Sequence, residues 1–341
     1  MEEDGERQLN IGAIARRANV STATVSRTLN QSGAVRPATA RKVWRAAAAL
    51  NYYPNSHARA LVSGRSRLLG LIVSDITNPF FPELVRSFEA LATQHQYDLI
   101  LTSTDYQTSR MTGCLRRMLE RKVDGVAIMT SEMDVGLIKE LSRRGVPLVF
   151  MDVGQVGARM SHVRIDYANG MRQAIDHVLG LGHKRVAFIS GPLDLQSART
   201  RRQAFLDGMR ARGLKPDPKL VREGTHTAEG GQHAMATILR NSKPPTAVVC
   251  SNDWTAIGAL HALDAAGLRV PADVSLVGFD DIPLASYTNP PLTSVRVSPA
   301  DVGSTAFDAV FRLIDGQRLE GDIYQVPTKI VIRDSTAKPR R

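Results

Sequence analysis

The chain has 341 residues, 43% of them hydrophobic, with 44 Lys and Arg against 33 Asp and Glu, a formal net charge of +11. That length suits one small domain plus one or two ordinary ones; no apolar run reaches the ~20 residues of a membrane span, and the acidic start Met1–Glu6 lacks the apolar core of a secretory signal. The only cysteines, Cys114 and Cys250, exclude a disulfide scaffold and fit a reducing compartment, and no Cys-x-x-Cys or His-Glu-x-x-His spacing suggests a metal.

The charge is concentrated. Residues 7–67 hold ten arginines, one lysine and no acid, whereas residues 68–341 carry only +4. A basic, acid-free block of this size is an electrostatic footprint for a polyanion. Within it, Asn10 can cap a helix over Ile11–Ala18 with Ile11, Ile14, Ala15 and Ala18 on one face. Asn19 suits the left-handed turn that follows, and Val20 is an apolar residue for the turn to bury. Ser21 caps a second helix, Thr22–Leu29, with Val25 and Leu29 inward and Thr22, Ala23, Ser26 and Arg27 outward. A third helix spans about Pro37–Leu50, with Pro37 in its first turn and Val43, Ala46, Ala47 and Leu50 inward. Arg36 stands where a Ser or Thr cap is expected. This is a helix-turn-helix pattern, whose second helix enters the major groove of duplex DNA. Arg27 can reach guanine edges or a phosphate, while Thr22 and Ala23 offer methyl-sized contacts. Arg16, Arg17, Arg41 and Lys42 are phosphate anchors, supplying affinity without sequence information.

Pro54 ends the third helix, and Asn55 or Ser56 can cap a short helix ending near Ser63-Gly64. A helix this short is unstable alone in water, so a surface such as DNA must order it. Leu61, a large apolar residue in a basic linker, has the profile of a minor-groove wedge.

The rest of the chain alternates strand and helix. Short apolar runs at Leu68–Ser74, Asp98–Ser103, Val123–Thr130 and Pro147–Met151 are separated by helical patterns near Phe81–His95, Ser109–Arg121 and Asp134–Arg144. The rhythm resumes at Arg185–Ser190, Ala247–Cys250 and Val274–Gly278. Such alternation predicts parallel sheets with right-handed crossovers. Neither Gly-x-Gly-x-x-Gly nor Gly-x-x-x-x-Gly-Lys-[Ser/Thr] is present, so nucleotide use is unsupported. Ligands of open α/β sheets sit beyond the carboxyl ends of strands, and the polar groups there are Asp75–Asn78, Asp152, Asn252-Asp253 and Asp280-Asp281.

Residues NIGAIARRANVSTATVSRTLN and YYPNSHARAL closely resemble the DNA-binding head and hinge of the LacI/GalR (lactose-repressor) family. The body resembles it in LLGLIVSDITNPFF, VDGVAIM, GHKRVAFISGP, SARTRRQAF, CSNDWTAIGAL, VPADVSLVGFDD and PPLTSV, so the likeness runs from Gln8 to about Thr336. The resemblance implies a small all-α helix-turn-helix head (residues 7–53), a hinge helix and linker (54–66) and a periplasmic-binding-protein-like α/β body (67–336) of two doubly wound parallel-sheet lobes. Its DNA-contacting set is Arg16, Arg17, Ser21, Thr22, Ala23, Ser26, Arg27, Asn30, Asn55, Ala58 and Leu61. Its effector contacts are Asn78, Phe80, Phe81, Asp152, Arg201, Asn252 and Asp280, with His226 standing where an aromatic residue often stacks on the ligand. Val297 stands where a glutamine is common. Carboxylates and amides bracket hydroxyl pairs, Arg201 donates in a fixed fork, and a phenylalanine can cover an apolar sugar face.

The expected protein is a cytoplasmic, ligand-responsive transcription regulator, most simply a repressor of carbohydrate-related genes. It binds a near-palindromic operator in double-stranded DNA as a homodimer, with a sugar, sugar derivative or sugar acid as effector, and uses no catalytic residue, cofactor, metal or membrane. A secreted sugar-binding protein, an α/β enzyme and an architectural DNA-binding protein are the rival classes. The basic head, the lack of a nucleophile–base pair and the polar strand ends speak against each in turn. The C-terminal residues Ile332–Arg341 show no heptads, which disfavours a coiled-coil tetramer.

Overall fold

A computed structural model describes residues 11–30, 33, 35–52, 64–130, 135–152, 156–316 and 319–340. The chain divides after Arg67 into two compact units. Asn10, Asn55, Ala58, Leu61 and most of the hinge lie outside the described residues.

Among its described residues the head has three helices: α1 (Ile11–Ala18), α2 (Thr22–Leu29) and α3 (Pro37–Ala49). Their apolar stripes meet in one core of Ile14, Ala15, Ala18, Val25, Leu29, Val43, Ala46 and Ala47, with half-buried Ile11, Val20 and Leu50 packed against it. Asn19 takes φ 52°, as the tight turn between α1 and α2 requires, and Val20 N–H then donates to Ala15 O at 3.0 Å. Ser21 caps α2 by accepting from Thr24 N–H at 3.2 Å. Arg36 gives α3 no side-chain cap; Pro37 in the first turn removes one of the donors a cap would satisfy.

Among its described residues the body forms two six-stranded sheets. The first has β1 (Leu68–Val73), β2 (Asp98–Ser103), β3 (Gly125–Met129), β4 (Leu148–Met151), β5 (Met160–Ile165) and β11 (Ile323–Val326), in the spatial order 11-5-4-3-1-2. The second has β6 (Val186–Ser190), β7 (Val221–Glu223), β8 (Ala247–Cys250), β9 (Ser275–Asp280), β10 (Thr293–Arg296) and β12 (Lys329–Val331), in the order 12-10-9-8-6-7. All pairings are parallel except β10 with β12. Central strands such as β1, β3 and β9 are buried along nearly their whole length, because helices cover both faces.

Helices α4 (Phe80–Gln94), α5 (Thr108–Glu120) and α6 (Val135–Arg143) belong to the first lobe. Helices α7 (Tyr167–Gly180), α8 (Gln196–Ala211), α9 (Ala228–Leu239) and α10 (Asp253–Ala265) belong to the second. The last helix, α11 (Pro299–Ile314), returns to pack on α4 of the first lobe. The chain therefore crosses between lobes three times, at Asp166, at Val297–Ser298 and at Pro327–Thr328. The crossings are tied together: Asp166 N–H donates to Val326 O (3.2 Å), and Thr328 Oγ1 donates to Asp166 O (3.0 Å). Val297 is fully buried in the middle crossing, and its N–H donates to Asp280 O at 3.1 Å. An apolar side chain there belongs to the core rather than to the cleft. Both cysteines are buried and free.

Candidate functional site

The body's polar strand ends converge on one narrow cavity between the lobes. All eight residues expected to contact an effector line it: Asn78, Phe80, Phe81, Asp152, Arg201, His226, Asn252 and Asp280. From the first lobe come Asn78, whose Oδ1 accepts from Phe80 N–H at 3.1 Å, and the edge-on ring pair Phe80–Phe81, 5.4 Å apart. These two rings serve both the core and the cavity wall. Asp152, at the end of β4, sits at φ 64°. From the second lobe come Arg201 in the second turn of α8, Asn252 capping α10 through Thr255 N–H (2.9 Å), and Asp280 at φ 104° at the end of β9.

Two residues unremarked in the sequence complete the site. Tyr167 begins α7, immediately after the first crossing, and its hydroxyl donates across the lobes to Asp152 Oδ2 at 2.8 Å. Tyr106 accepts from Asn78 Nδ2 at 3.1 Å and lies 6.1 Å from the His226 ring. Only their position beyond strand ends could have marked them; tyrosines elsewhere in a core look the same in sequence.

Arg201 is 7% exposed, with its guanidinium 4.3 Å from the Tyr167 ring centre, 4.9 Å from that of Phe279, and 3.9 Å from Asp280 Oδ1. Such stacking fixes the fork without consuming all its donors, and its Nε makes no hydrogen bond among the described residues. Arg199 is exposed and bonds the carbonyls of Leu193 and Asp194, so of the arginines opening α8 only Arg201 reaches the cavity wall. The pair Asp280-Asp281 divides similarly. Asp281 turns away to ion-pair with Arg296 and Arg333, both at 2.6 Å, whereas Asp280 faces the cavity. Asp253 also leaves the site. It is fully buried, accepting from Ser294 Oγ at 2.5 Å and Ile282 N–H at 2.8 Å, and it holds the strand-end loops in place. Burial and the neighbouring Asp280 push its carboxyl well above the usual carboxylate range.

His226 adopts φ 61°, its carbonyl accepts from Asn252 Nδ2 at 3.3 Å, and its ring fills the space a Cβ on Gly191 would need. Burial, with Arg201 adding repulsion, lowers its pKa to about 3, so the imidazole is neutral at any ordinary pH. Its Nε2 is buried without a hydrogen-bond partner among the described residues. Burial raises Asp280 to about 7, Arg201 pulling the other way and Asp152 reinforcing the rise.

A carboxyl near 3.8 in the unfolded chain and near 7 in the fold binds its proton more tightly when folded. Its contribution to stability is present at low pH and is lost as pH rises from about 4 to about 7. The stability of the parent relative to Asp280→Asn, measured by denaturant titration, should therefore fall over that interval and level off above it. A flat difference would place the Asp280 pKa in the ordinary range.

On the head, Thr22, Ala23 and Arg27 are exposed along one side of α2, Ser26 is half-buried, and Arg16 and Arg17 are exposed at the end of α1. Arg41 and Lys42 are exposed on α3. Two of the named residues have intramolecular tasks in the chain alone: Ser21 caps α2, and Asn30 Nδ2 donates to Ser26 Oγ at 3.2 Å.

Residues 10–55 match the model of the lacI family of bacterial regulatory proteins, and residues 175–336 match a periplasmic binding protein-like domain. Catabolite control protein A of Priestia megaterium is 32% identical over 324 residues, covering 95% of this chain and 98% of that protein. The chain belongs to the LacI family. The transcriptional repressor PurR of Salmonella arizonae is 34% identical over 326 residues, covering 95% and 96% of the two chains. Among solved structures, the Lac repressor dimer bound to operator and the anti-inducer ONPF aligns with a TM-score of 0.85 at 28% identity, over 96% of this chain and 99% of that one. The transcriptional regulator CelR with cellobiose aligns at 0.71 and 30% identity, over 96% and 100%. An Enterococcus faecium regulator with bound ribose aligns at 0.72 and 28%, over 80% and 100%. This LacI-family chain is thus a DNA-binding transcriptional regulator with a ligand-binding domain, and not an enzyme. Among its described residues no helix is long and apolar enough to cross a membrane, and no group of His, Cys, Asp and Glu could hold a metal ion.

Arg27 is exposed on the helix that such heads place in the major groove, whereas Arg16 ends the preceding helix. Arg27→Ala should therefore lower specific operator affinity far more than non-specific affinity, while Arg16→Ala should weaken both alike. With six or so phosphate contacts, the parent should show a log–log salt slope of roughly −5 in fluorescence anisotropy. Equal losses from the two substitutions would remove Arg27 as a base reader.

Proposed function

We propose that this chain is a cytoplasmic repressor of carbohydrate-related genes. It binds a near-palindromic operator as a homodimer and takes a neutral sugar or sugar derivative as effector in the interlobe cleft. The observation that carries the reading is the convergence of Asn78, Asp152, Arg201, Asn252 and Asp280 from both lobes beside the aromatic residues Phe80, Phe81 and Tyr106. Such a set offers donors and acceptors to hydroxyls and a flat apolar wall to a ring face. The similar proteins carrying cellobiose and ribose support a carbohydrate. Charge favours a neutral one: His226 is uncharged, and Arg201 already faces Asp280 with Asp152 nearby. A sugar acid would need an uncompensated cation, which neither the neutral His226 nor the Asp280-paired Arg201 offers.

A thermal-shift screen of neutral sugars, sugar acids and purines tests the ligand class, because cleft binding must stabilise the fold. Shifts from sugar acids or purines alone would sink the neutral-sugar reading. A ligand that touches both lobes favours one lobe arrangement, and the hinge enters the body at Leu68, the first residue of β1. Operator DNA should therefore change effector affinity by roughly 5–150-fold, and the effector should change operator affinity by the same factor. Ligand titration with and without operator measures both. Identical affinities would show that the cleft is not regulatory.

A further inference from the structure

The turn that presents Asp280 to the cleft is strained. Asp280 and Asp281 both take positive φ, 104° and 57°, a region that residues other than glycine rarely adopt. Two such residues in succession persist only where their surroundings over-determine them. Three hydrogen bonds fix the main chain. Val297 N–H donates to Asp280 O at 3.1 Å, Asp281 N–H to Ser294 Oγ at 3.1 Å, and Ile282 N–H to Asp253 Oδ2 at 2.8 Å.

The side chain of Asp281 fixes which way the turn faces. Its carboxylate is 1% exposed and lies between two guanidiniums, with Arg296 Nε 2.6 Å from Oδ2 and Arg333 Nη1 2.6 Å from Oδ1. Oδ1 accepts no aligned hydrogen bond among the described residues, so its contact with Arg333 is one of charge. The two cations are not equivalent. Arg296 is 56% exposed, and water screens its attraction. Arg333 is 16% exposed and anchored: its Nη1 also donates to Leu292 O at 2.7 Å, and its backbone N–H to Thr293 Oγ1 at 2.9 Å. The next residues tie the same segment down, Asp334 N–H donating to Pro291 O at 3.1 Å and Ser335 Oγ to Leu276 O at 2.6 Å. A carboxylate as buried as Asp281 does not stay charged without a cation. Without Arg333, rotation of the turn would bring Asp281 to water, relax both φ angles and take Asp280 off the cavity wall.

We propose that Arg333 is a positioning residue for effector binding: acting through Asp281, it holds the strained turn that aims the Asp280 carboxylate into the cleft. The inference rests on the reading of the cleft as the effector site, which the ligand screen tests separately, and it does not depend on which effector binds.

The pH profile of Asp280 reports its position. The groups facing it are Arg201 of α8, Asp152 at the end of β4, Tyr167 at the start of α7 and Asp253 at the start of α10, with His226 lining the same cavity. No substitution at Arg333 alters any of them. In that burial the Asp280 carboxyl stands at about 7; once in water it returns to the ordinary carboxylate range.

The test is denaturant titration of the full chain from about pH 4 to about pH 8, comparing chains with and without Asp280→Asn. For the parent the stability difference should fall as pH rises from about 4 to about 7. For Arg333→Met the same difference, taken against Arg333→Met/Asp280→Asn, should be flat. Arg333→Lys keeps a cation beside Asp281 and should restore the fall, and Arg296→Met should retain it. A merely structural role for Arg333 would lower the stability of both members of a pair and leave the fall in place. Should Arg333→Met not fold, Arg333→Met/Asp281→Asn leaves no buried carboxylate unpaired and should give the same flat difference. A fall retained in either Arg333→Met background would overturn the proposal. So would a difference in Arg333→Lys as flat as in Arg333→Met, because a cation would then not be what holds the turn. A parent without the fall would overturn it too, since Asp280 would not be facing Arg201 and Asp152 in a buried cavity.

Discussion

Arg201→Ala is expected to weaken effector binding by ~100-fold or more and to abolish the effector's influence on operator binding. Three losses combine. The ligand loses a fixed donor fork, Tyr167 and Phe279 lose the cation that packs on them at 4.3 and 4.9 Å, and Asp280 and Asp152 lose their buried counter-charge. Removing one partner of a buried charge pair costs about 3–5 kcal/mol, and stacking on each ring is worth roughly 0.5–2 kcal/mol. Part of that loss falls on the stability of the free protein and part on the complex. Without Arg201, the Asp280 carboxyl should rise further above 7, since the guanidinium is what pulls it down. Operator binding by the ligand-free variant should be unchanged, because the head is a separate compact unit with its own core. Arg199→Ala is the control. That side chain is exposed and bonds only its own helix start, so it should change effector affinity by less than about threefold. Comparable losses from Arg199→Ala and Arg201→Ala would mean that the opening of α8, rather than the buried guanidinium, governs the response.

Gly258→Ala is expected to destabilise the body by about 3 kcal/mol, at the upper end of overpacking effects. Helices α9 and α10 meet backbone to backbone at this point. A Cβ on Gly258 would overlap the carbonyl oxygen of Ala228, lying 2.6 Å from the carbonyl carbon and 2.8 Å from Gln232 N, and a Cβ on Gly231 would overlap the Thr255 carbonyl. No rotamer change relieves an overlap with backbone; the helices must separate. Separation would shift Thr227 and Asn252, which cap the two helices and flank His226 in sequence and in space. Effector affinity should therefore fall along with thermal stability, while operator binding at low temperature survives. Gly180→Ala, at the end of α7 with open space around its Cβ position, should be neutral or stabilising by up to about 1 kcal/mol. If calorimetric unfolding finds Gly258→Ala as stable as Gly180→Ala, the close helix contact is wrong.

Much of this architecture follows from local rules acting on local sequence. Helices α1 and α2 occur over the residues expected, because the Ser21 cap of α2, the Asn19 turn between them and the three-to-four spacing of their apolar residues all lie within eight-residue windows. Strands β2 and β8 likewise match their apolar runs. Strands β5, β7, β10, β11 and β12 carry no comparable signal. They are three to six residues long, and several have half-exposed or alternating faces, as in Met160–Ile165 and Ile323–Val326. Only pairing with distant strands makes them strands. For the same reason the three crossings between lobes were invisible: β11 and α11 belong to the first lobe although they follow the whole second lobe in sequence.

The residue types of the site were legible, its composition less so. Adjacent acids at the end of β9 are equivalent in sequence, and tertiary structure separates them by placing Arg296 and Arg333 beside Asp281 and Arg201 beside Asp280. Asn252 and Asp253 divide in the same way, one capping α10 at the cavity and the other buried under it. Tyr167 gave no signal, because its meaning lies in two distant partners: Asp152 in the other lobe and Arg201 one helix later. The sequence alone thus determined the helices of the head and of the first lobe, the central strands and which polar residues lie at strand ends, since these depend on periodicity and turn chemistry within short windows. Tertiary structure alone decided which of those polar residues face one another, what charge each carries and how much space they enclose, since burial and electrostatics depend on neighbours far away along the chain.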